Sequence, residues 1–378
     1  MRDSFLKRLE IALRRYLIMV IGIFVQRRNP LSNTVDLNSS KILFIRQDRI
    51  GDVLISTPIF ASLKAHYPSA IIDVLLSENN HFVLLNDKLI RKRWIYQKKV
   101  GKVISLVRAL RNEKYDFAVD MMDNPSVTST FLCLFSGARW NVGIAKDNNY
   151  VYDIRVPMLS RRDAHIVDRI AQLLSPFHID PNAENLSIRY FTSPASDDFA
   201  EQFLSANHLC QRSLIGINIS AGGETRFWGI EKYRTLLSYI IEQYPKLHPI
   251  LLYQPSDEEK AHAIMDGLTK AVLSPLTKTF DQFAAIIKRL SFLISPDTSA
   301  IHVASAFNIP SVVLYVQSNK SLRIWEPYGT DYEVVVTAVD DLSTISVTEV
   351  QTAFMKLTGR YHIKPWNKQG CKDQTRYD

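Results

Sequence analysis

With 378 residues, 46% hydrophobic and 10% aromatic content, the chain carries enough apolar mass for two packed domains, which excludes a disordered or fibrous protein. Cys133, Cys210 and Cys371 lie far apart without paired spacing, so neither a disulfide framework nor a zinc site is expected, and the usage suits a reducing cytoplasm. The net charge of +8 favours anionic partners and is uneven: residues 1–30 hold seven Lys/Arg against two acids, and residues 359–378 add about +3.

The chain begins with an apolar run over residues 16–25, flanked by Arg14 and Arg15 before it and by Arg27 and Arg28 after it. Ten residues are half of the roughly twenty that a membrane-spanning helix needs. No small-residue cleavage site follows in residues 26–30. Basic flanks around a short apolar run point to an interfacial helix on an anionic membrane surface, the alternative being a helix packed on the protein itself. Residues 31–40 are polar and read as a linker, so residues 1–40 form a basic amphipathic extension.

Residues 41–46 are a short apolar, β-branched run, the pattern of a buried strand. Residues 47–51 break it, with Gly51 free to take unusual backbone angles and to let a ligand approach the main chain. A helix is predicted to begin at Asp52, its apolar face formed by Val53, Ile55, Ile59, Phe60 and Leu63, with Pro58 tolerated as an early-turn residue. Strand end and helix start then lie together, where open α/β sheets place ligands. Asp52 is either the helix N-cap or a carboxylate able to accept a proton, and Arg46 and Arg49 supply cations beside it.

Alternation continues with a strand over residues 71–76, a helix over 103–111 and a strand over 117–119. Asp120, Asp123 and Asn124 end that strand on the side expected for Asp52, although turn and cap roles suit Asp123 and Asn124. Arg155, Arg161, Arg162 and His165 form a basic loop before a helix over 164–174; solvated arginines are the plain reading, and bidentate binding of an acidic acceptor is the functional one. The domain boundary is expected between residues 186 and 211. Beyond it, strands over 214–219, 250–253, 292–295 and 311–315 alternate with helices, and a last helix covers 347–356. The expected fold is α/β: two Rossmann-like, doubly wound lobes facing a cleft.

Three stretches of the second half carry chemistry. In residues 217–228 a strand runs into Ser220-Ala221-Gly222-Gly223 and then Arg226, small residues giving access to a phosphate and a cation to neutralise it. Residues 292–306 place Asp297, Thr298 and Ser299 at a helix start, an anion cradle, with His302 one turn later. Asp257, Glu258 and Glu259 suit either a ribose hydroxyl or the favourable placing of acids in a first helical turn.

The stretch Arg46-Gln47-Asp48-Arg49-Ile50-Gly51-Asp52-Val53-Leu54-Ile55-Ser56-Thr57-Pro58 resembles the amino-terminal signature of glycosyltransferase family 9, which contains the ADP-heptose:lipopolysaccharide heptosyltransferases. Residues 116–146 resemble the family's second sheet segment. Residues 217–228 are similar to its segment binding the donor pyrophosphate, with Ile219 where many members have Pro. Residues 292–306 resemble its nucleotide-sugar motif, with Ser299 where many have Gly. The resemblance implies a GT-B fold, with residues 41–190 binding acceptor, 200–345 binding nucleotide sugar, and 346–378 forming a helix, which in such enzymes often packs back on the first lobe, and a basic tail. It implies Asp52 as catalytic base. Donor contacts fall to Arg226, Ser220, Gly222, Asp297, Thr298, Ser299, His302 and Glu259, and acceptor contacts to Arg46, Arg49, Gly51, Asp120, Arg155 and Arg161.

The expected reaction is inverting transfer of heptose from ADP-heptose to an anionic lipopolysaccharide-core acceptor, at the inner face of the cytoplasmic membrane. No D-x-D triplet holds a metal, so metal-free transfer without a cofactor is expected, and nucleic acid is not an expected partner. Another nucleotide sugar, or a non-catalytic sugar-nucleotide-binding protein, is the alternative. An NAD-dependent oxidoreductase is remote, since no G-x-G-x-x-G follows a strand.

Overall fold

The computed structural model describes residues 36–317 and 325–363, with Leu13, Tyr16 and Val20 of the leading segment. The expected membrane anchor and the basic tail otherwise lie outside the described residues. The chain divides into two compact units between Ile188 and Arg189.

The first unit opens with β1 (Lys41–Ile45), whose Ile42, Leu43, Phe44 and Ile45 are all buried because helices cover both faces of a parallel sheet. The single helix expected from Asp52 is two: α1 (Ile50–Leu54) and α2 (Thr57–His66). The reason is Pro58, near the start of α2. It has no N–H for the carbonyl of Leu54, which accepts instead from the Thr57 hydroxyl at 2.7 Å. There follow β2 (Ile71–Ser77), β3 (Ile90–Tyr96), α3 (Val100–Glu113), β4 (Phe117–Asp120), α4 (Val127–Phe135), β5 (Trp140–Ile144), β6 (Ile154–Val156) and α5 (Ile166–Ala171). The six strands are parallel in the order β3-β2-β1-β4-β5-β6.

The second unit repeats the plan: α6 (Pro194–Ala206), β7 (Ser213–Asn218), α7 (Ile230–Gln243), β8 (Leu247–Leu252), α8 (Glu258–Met265), β9 (Val272–Leu273), α9 (Phe280–Ile287), β10 (Phe292–Pro296), α10 (Ser299–Ala306), β11 (Ser311–Val316), β12 (Tyr332–Thr337) and α11 (Val347–Arg360). Its parallel order β12-β11-β10-β7-β8-β9 is the first unit's order again, and both are the arrangement of doubly wound nucleotide-binding sheets. The order reverses between β1 and β4 in one sheet and between β7 and β10 in the other, which fixes where ligands enter.

The apolar face of α11 packs on its own unit, with the Phe354 ring 5.1 Å from Tyr244 and 6.0 Å from Phe292. A capping box of Ser346 and Glu349 starts the helix. Just before it, the carbonyl of Ile345 accepts from the buried Trp228 indole N–H at 2.9 Å and from the Lys232 ammonium at 2.7 Å.

Candidate functional site

In the first sheet the reversal point is bridged by one buried side chain. Arg46, 1% exposed, follows β1 and sends each of its three nitrogens to a different acceptor atom. Nε donates to the Asp52 carbonyl at 2.9 Å, Nη1 to the Met121 carbonyl beyond β4 at 2.6 Å, and Nη2 to Asp52 Oδ1 at 3.4 Å. Nη1 also lies 3.3 Å from Asp48 Oδ2. Asp52 is not the N-cap of α1 but its third residue, and its Oδ2 accepts from the Arg49 N–H at 3.3 Å. The carboxylate is therefore fixed in direction while keeping 12% of its side chain exposed. Asn80, fully buried, steadies the turn from β2 by donating to the carbonyls of Arg46 and Asp48.

Asp48 is a second carboxylate beside the first. Burial pushes its carboxyl up to about 7, the Arg46 charge opposing that rise and Asp52 adding to it. Its Oδ1 is buried with no hydrogen-bond partner among the described residues. In the unfolded chain Asp48 ionises near 4, so between about pH 4 and 7 the native state holds a proton that the unfolded state has released. Stability is lost as pH rises through this window and is level above it. Asp48→Asn removes that loss, so its melting temperature relative to wild type is expected to climb between pH 4 and pH 8. A difference independent of pH would refute this.

Several of the residues expected at the site also make contacts within the fold. Gly51 is helical, and the described glycines with positive φ are Gly137, Gly229, Gly267 and Gly329. Asp120 is wholly buried and accepts from Tyr152 Oη, Lys146 Nζ at 3.1 Å, Ser129 Oγ at 3.0 Å and the Met122 N–H at 3.0 Å. A carboxylate so saturated anchors the loop after β4. Arg46 is likewise buried and holds its neighbours in place. Arg161, half-exposed, meets Asp123 at 3.2 Å and Asn124 at 2.7 Å, and the buried Arg169 reaches Asp123 at 3.1 Å. Arg155 is exposed on the edge strand β6, three strands or about 14 Å from β1. The structure does not bring it to Asp52. Arg49 exposes its side chain at the start of α1.

The second reversal point is built in the same way with neutral groups. Buried Asn218, ending β7, donates to Ser295 Oγ at 2.9 Å and Thr298 Oγ1 at 3.4 Å and accepts from the Ser220 N–H. The Ser220 hydroxyl donates to Asp257 at 2.7 Å and accepts from the Gln254 N–H, so it ties loops together. Thr298 caps α10 through the Ala300 N–H, leaving Ser299 half-exposed and Asp297 exposed. His302, one turn on, is buried with its ring 6.4 Å from Trp325.

Arg226 ends a short 3-10 turn and pairs with Asp340 at 2.7 Å, a carboxylate 81% exposed. Gly222 and Gly223 face open space, and an added Cβ at either meets nothing within 4 Å. Gly229 needs its φ of 120° to start α7 just after the buried Trp228. Glu259 is exposed in the first turn of α8. Lys260, missed in the sequence, bonds Glu224 at 2.9 Å beside Arg226; the Glu224 hydrogen bond raises its pKa. Asp48, Asn80, Lys146 and Asn218 were missed too, although all but Asn80 lie inside stretches whose resemblance the sequence shows.

Among the described residues no group of three or more His, Cys, Asp or Glu could hold a metal ion, and no helix is long and apolar enough to cross a membrane. Residues 103–351 match the model of "Glycosyltransferase family 9 (heptosyltransferase)", a stretch that starts beyond Asp52. Lipopolysaccharide heptosyltransferase 3 of Escherichia coli is 23% identical over 301 residues, 74% of this chain and 84% of that one. Lipopolysaccharide heptosyltransferase 2 of Escherichia coli is 24% identical, over 74% and 83%. A family 9 glycosyl transferase structure from Veillonella parvula superposes with TM-score 0.74 at 20% identity, covering 87% of this chain and all of that one. The Escherichia coli heptosyltransferase WaaC with ADP superposes at 0.68 with 16% identity, over 84% and 99%.

Proposed function

The chain belongs to glycosyltransferase family 9 and is a glycosyltransferase, and from that premise we propose that it transfers heptose from ADP-heptose to an anionic lipopolysaccharide-core acceptor with inversion. The observation that carries this reading is Asp52, a partly exposed carboxylate held rigid by Arg46 at a sheet's reversal point. In the reaction Asp52 takes the proton of an acceptor hydroxyl whose oxygen attacks the anomeric carbon. The bond from that carbon to the diphosphate breaks on the opposite face, and the diphosphate leaves with the electron pair. Arg226 and the N–H groups at the start of α10 stabilise the departing charge, and open space at Gly222 and Gly223 admits it. The resemblance of the fold to a heptosyltransferase solved with ADP supports the adenine nucleotide. Transfer proceeds without a metal or cofactor, on the cytoplasmic side of the inner membrane, which the segment 1–40 contacts.

Calorimetry of ADP, GDP, UDP and NAD in EDTA tests this, followed by transfer from ADP-heptose to core fragments with NMR of the product's anomeric centre. ADP binding and an inverted product are expected; preference for NAD, or transfer that needs added Mg²⁺, overturns the reading or its metal-free form. Arg226→Ala is expected to weaken ADP by roughly 2 kcal/mol, the scale of a charge-assisted hydrogen bond. Asp340→Asn is expected to tighten it slightly, by under about 1 kcal/mol, because the exposed pair it removes is weak. Unchanged affinity in Arg226→Ala places the diphosphate elsewhere.

A further inference from the structure

Residues 88–114 carry ten Lys/Arg and one acid, Glu113, an excess larger than the net charge of +8 of the whole chain. The stretch makes the edge strand β3 and the helix α3. Glu113 is already occupied, meeting Arg91 at 2.7 Å, Lys92 at 3.3 Å and Lys41 at 3.4 Å. Lys98, Lys99, Lys102 and Arg108 are exposed and have no ion pair among the described residues.

The helix turns Leu106 and Leu110 into the core. On its other face Val100, Ile104, Arg108 and Arg111 follow one another at helical spacing. Val100 is 75% exposed, more than any other large apolar side chain among the described residues, and Ile104 is 47% exposed. Lys99 occupies the N-cap, no side chain accepts from the first turn, and no acid stands there. Three lysines around the positive end of a helix dipole work against the helix, so folding does not account for them. Because the strands are parallel, the turn from β3 into α3 opens on the same sheet edge as Asp52. It lies two strands over, on the order of 10 Å.

We propose that the amino-terminal half of α3, with the turn before it, is a docking surface for an anionic lipid bilayer. Lys98, Lys99, Lys102 and Arg108 meet headgroup phosphates, and Val100 and Ile104 enter the boundary of the acyl region. The apolar pair selects lipid over nucleic acid, which offers charge but no apolar phase. The surface belongs to the folded first unit, is separate from the segment 1–40, and does not depend on which sugar is transferred. It sets the Asp52 edge of the sheet toward the bilayer.

Co-sedimentation of the full chain with vesicles containing phosphatidylglycerol, against vesicles of phosphatidylcholine alone, tests it, with melting temperatures confirming that each variant is folded. Binding is expected to the anionic vesicles and to weaken in 1 M NaCl, where the Debye length is about 3 Å. Each Lys→Gln or Arg→Gln change at the four cations is expected to lower partitioning about fivefold, and all four together by roughly a hundredfold or more. Val100→Ser with Ile104→Ser is expected to lower it severalfold even at low salt. A quadruple variant that partitions like wild type places attachment elsewhere, the leading segment included, and overturns the proposal. So does retention on a DNA column that equals vesicle binding, with Val100→Ser and Ile104→Ser leaving both unchanged.

Discussion

Asp52→Asn is expected to lower kcat by a factor on the order of a hundred to ten thousand, the usual worth of a positioned general base, with donor affinity little changed. The amide keeps the size of the carboxylate and can still accept from the Arg49 N–H. It cannot take a proton from an attacking hydroxyl. Loss of the charge opposite Arg46 also destabilises α1, so activity and melting temperature are measured together. A variant that melts earlier but retains full specific activity shows that Asp52 only caps its helix.

Arg46→Met is expected to destabilise the first unit by about 3–5 kcal/mol, the cost of removing one partner from a buried charge cluster. That is a large part of the roughly 5–15 kcal/mol that holds a domain folded. Burial alone would lower the guanidinium pKa, but Asp48, Asp52, Asp123 and Asp120 together raise it, so the cation answers several carboxylates at once. Arg46→Lys is expected to rescue little, since a single ammonium cannot reach the Asp52 carbonyl, the Met121 carbonyl and Asp52 Oδ1 in three directions. Urea unfolding followed by circular dichroism measures both variants. A loss below about 1 kcal/mol for Arg46→Met would mean that water enters and solvates the pair.

The alternation of strand and helix was legible because parallel strands are buried on both faces, so residues 42–45 of β1 and 292–294 of β10 stand out as apolar runs. β3 escapes that reading, since Arg91, Lys92 and Arg93 interrupt it, which an edge strand tolerates on its exposed side. β6 has three residues, too short for any period to show. β12 carries Val334, Val335 and Val336 and was readable, yet the reading passes over it. Within the site, Asp52 and Asp120 look alike in sequence, each a carboxylate following an apolar strand. What separates them is tertiary: Lys146 and Tyr152, 26 and 32 residues downstream, close on Asp120, whereas Asp52 keeps 12% of its side chain exposed. Arg46 reads as a loop cation for the same reason, because its Met121 partner is 75 residues away.

The bond from Trp228 to the Ile345 carbonyl joins residues 117 positions apart, and this bears on the order in which a nascent chain matures. A ribosome adds roughly 5–20 residues per second, and domains fold as they emerge. The first unit, ending at Ile188, can close around Arg46 while the rest is still being translated. The loop carrying Arg226 has no such option: its buried tryptophan waits on the order of ten seconds for its acceptor to leave the exit tunnel. In the first part of that interval, until residue 296 has emerged, β7, one of the two innermost strands of the second sheet, lacks β10 on one side. A message that pauses translation between residues 228 and 296 therefore lengthens exposure of an unpaired apolar strand, and the second unit is where chaperone dependence should concentrate.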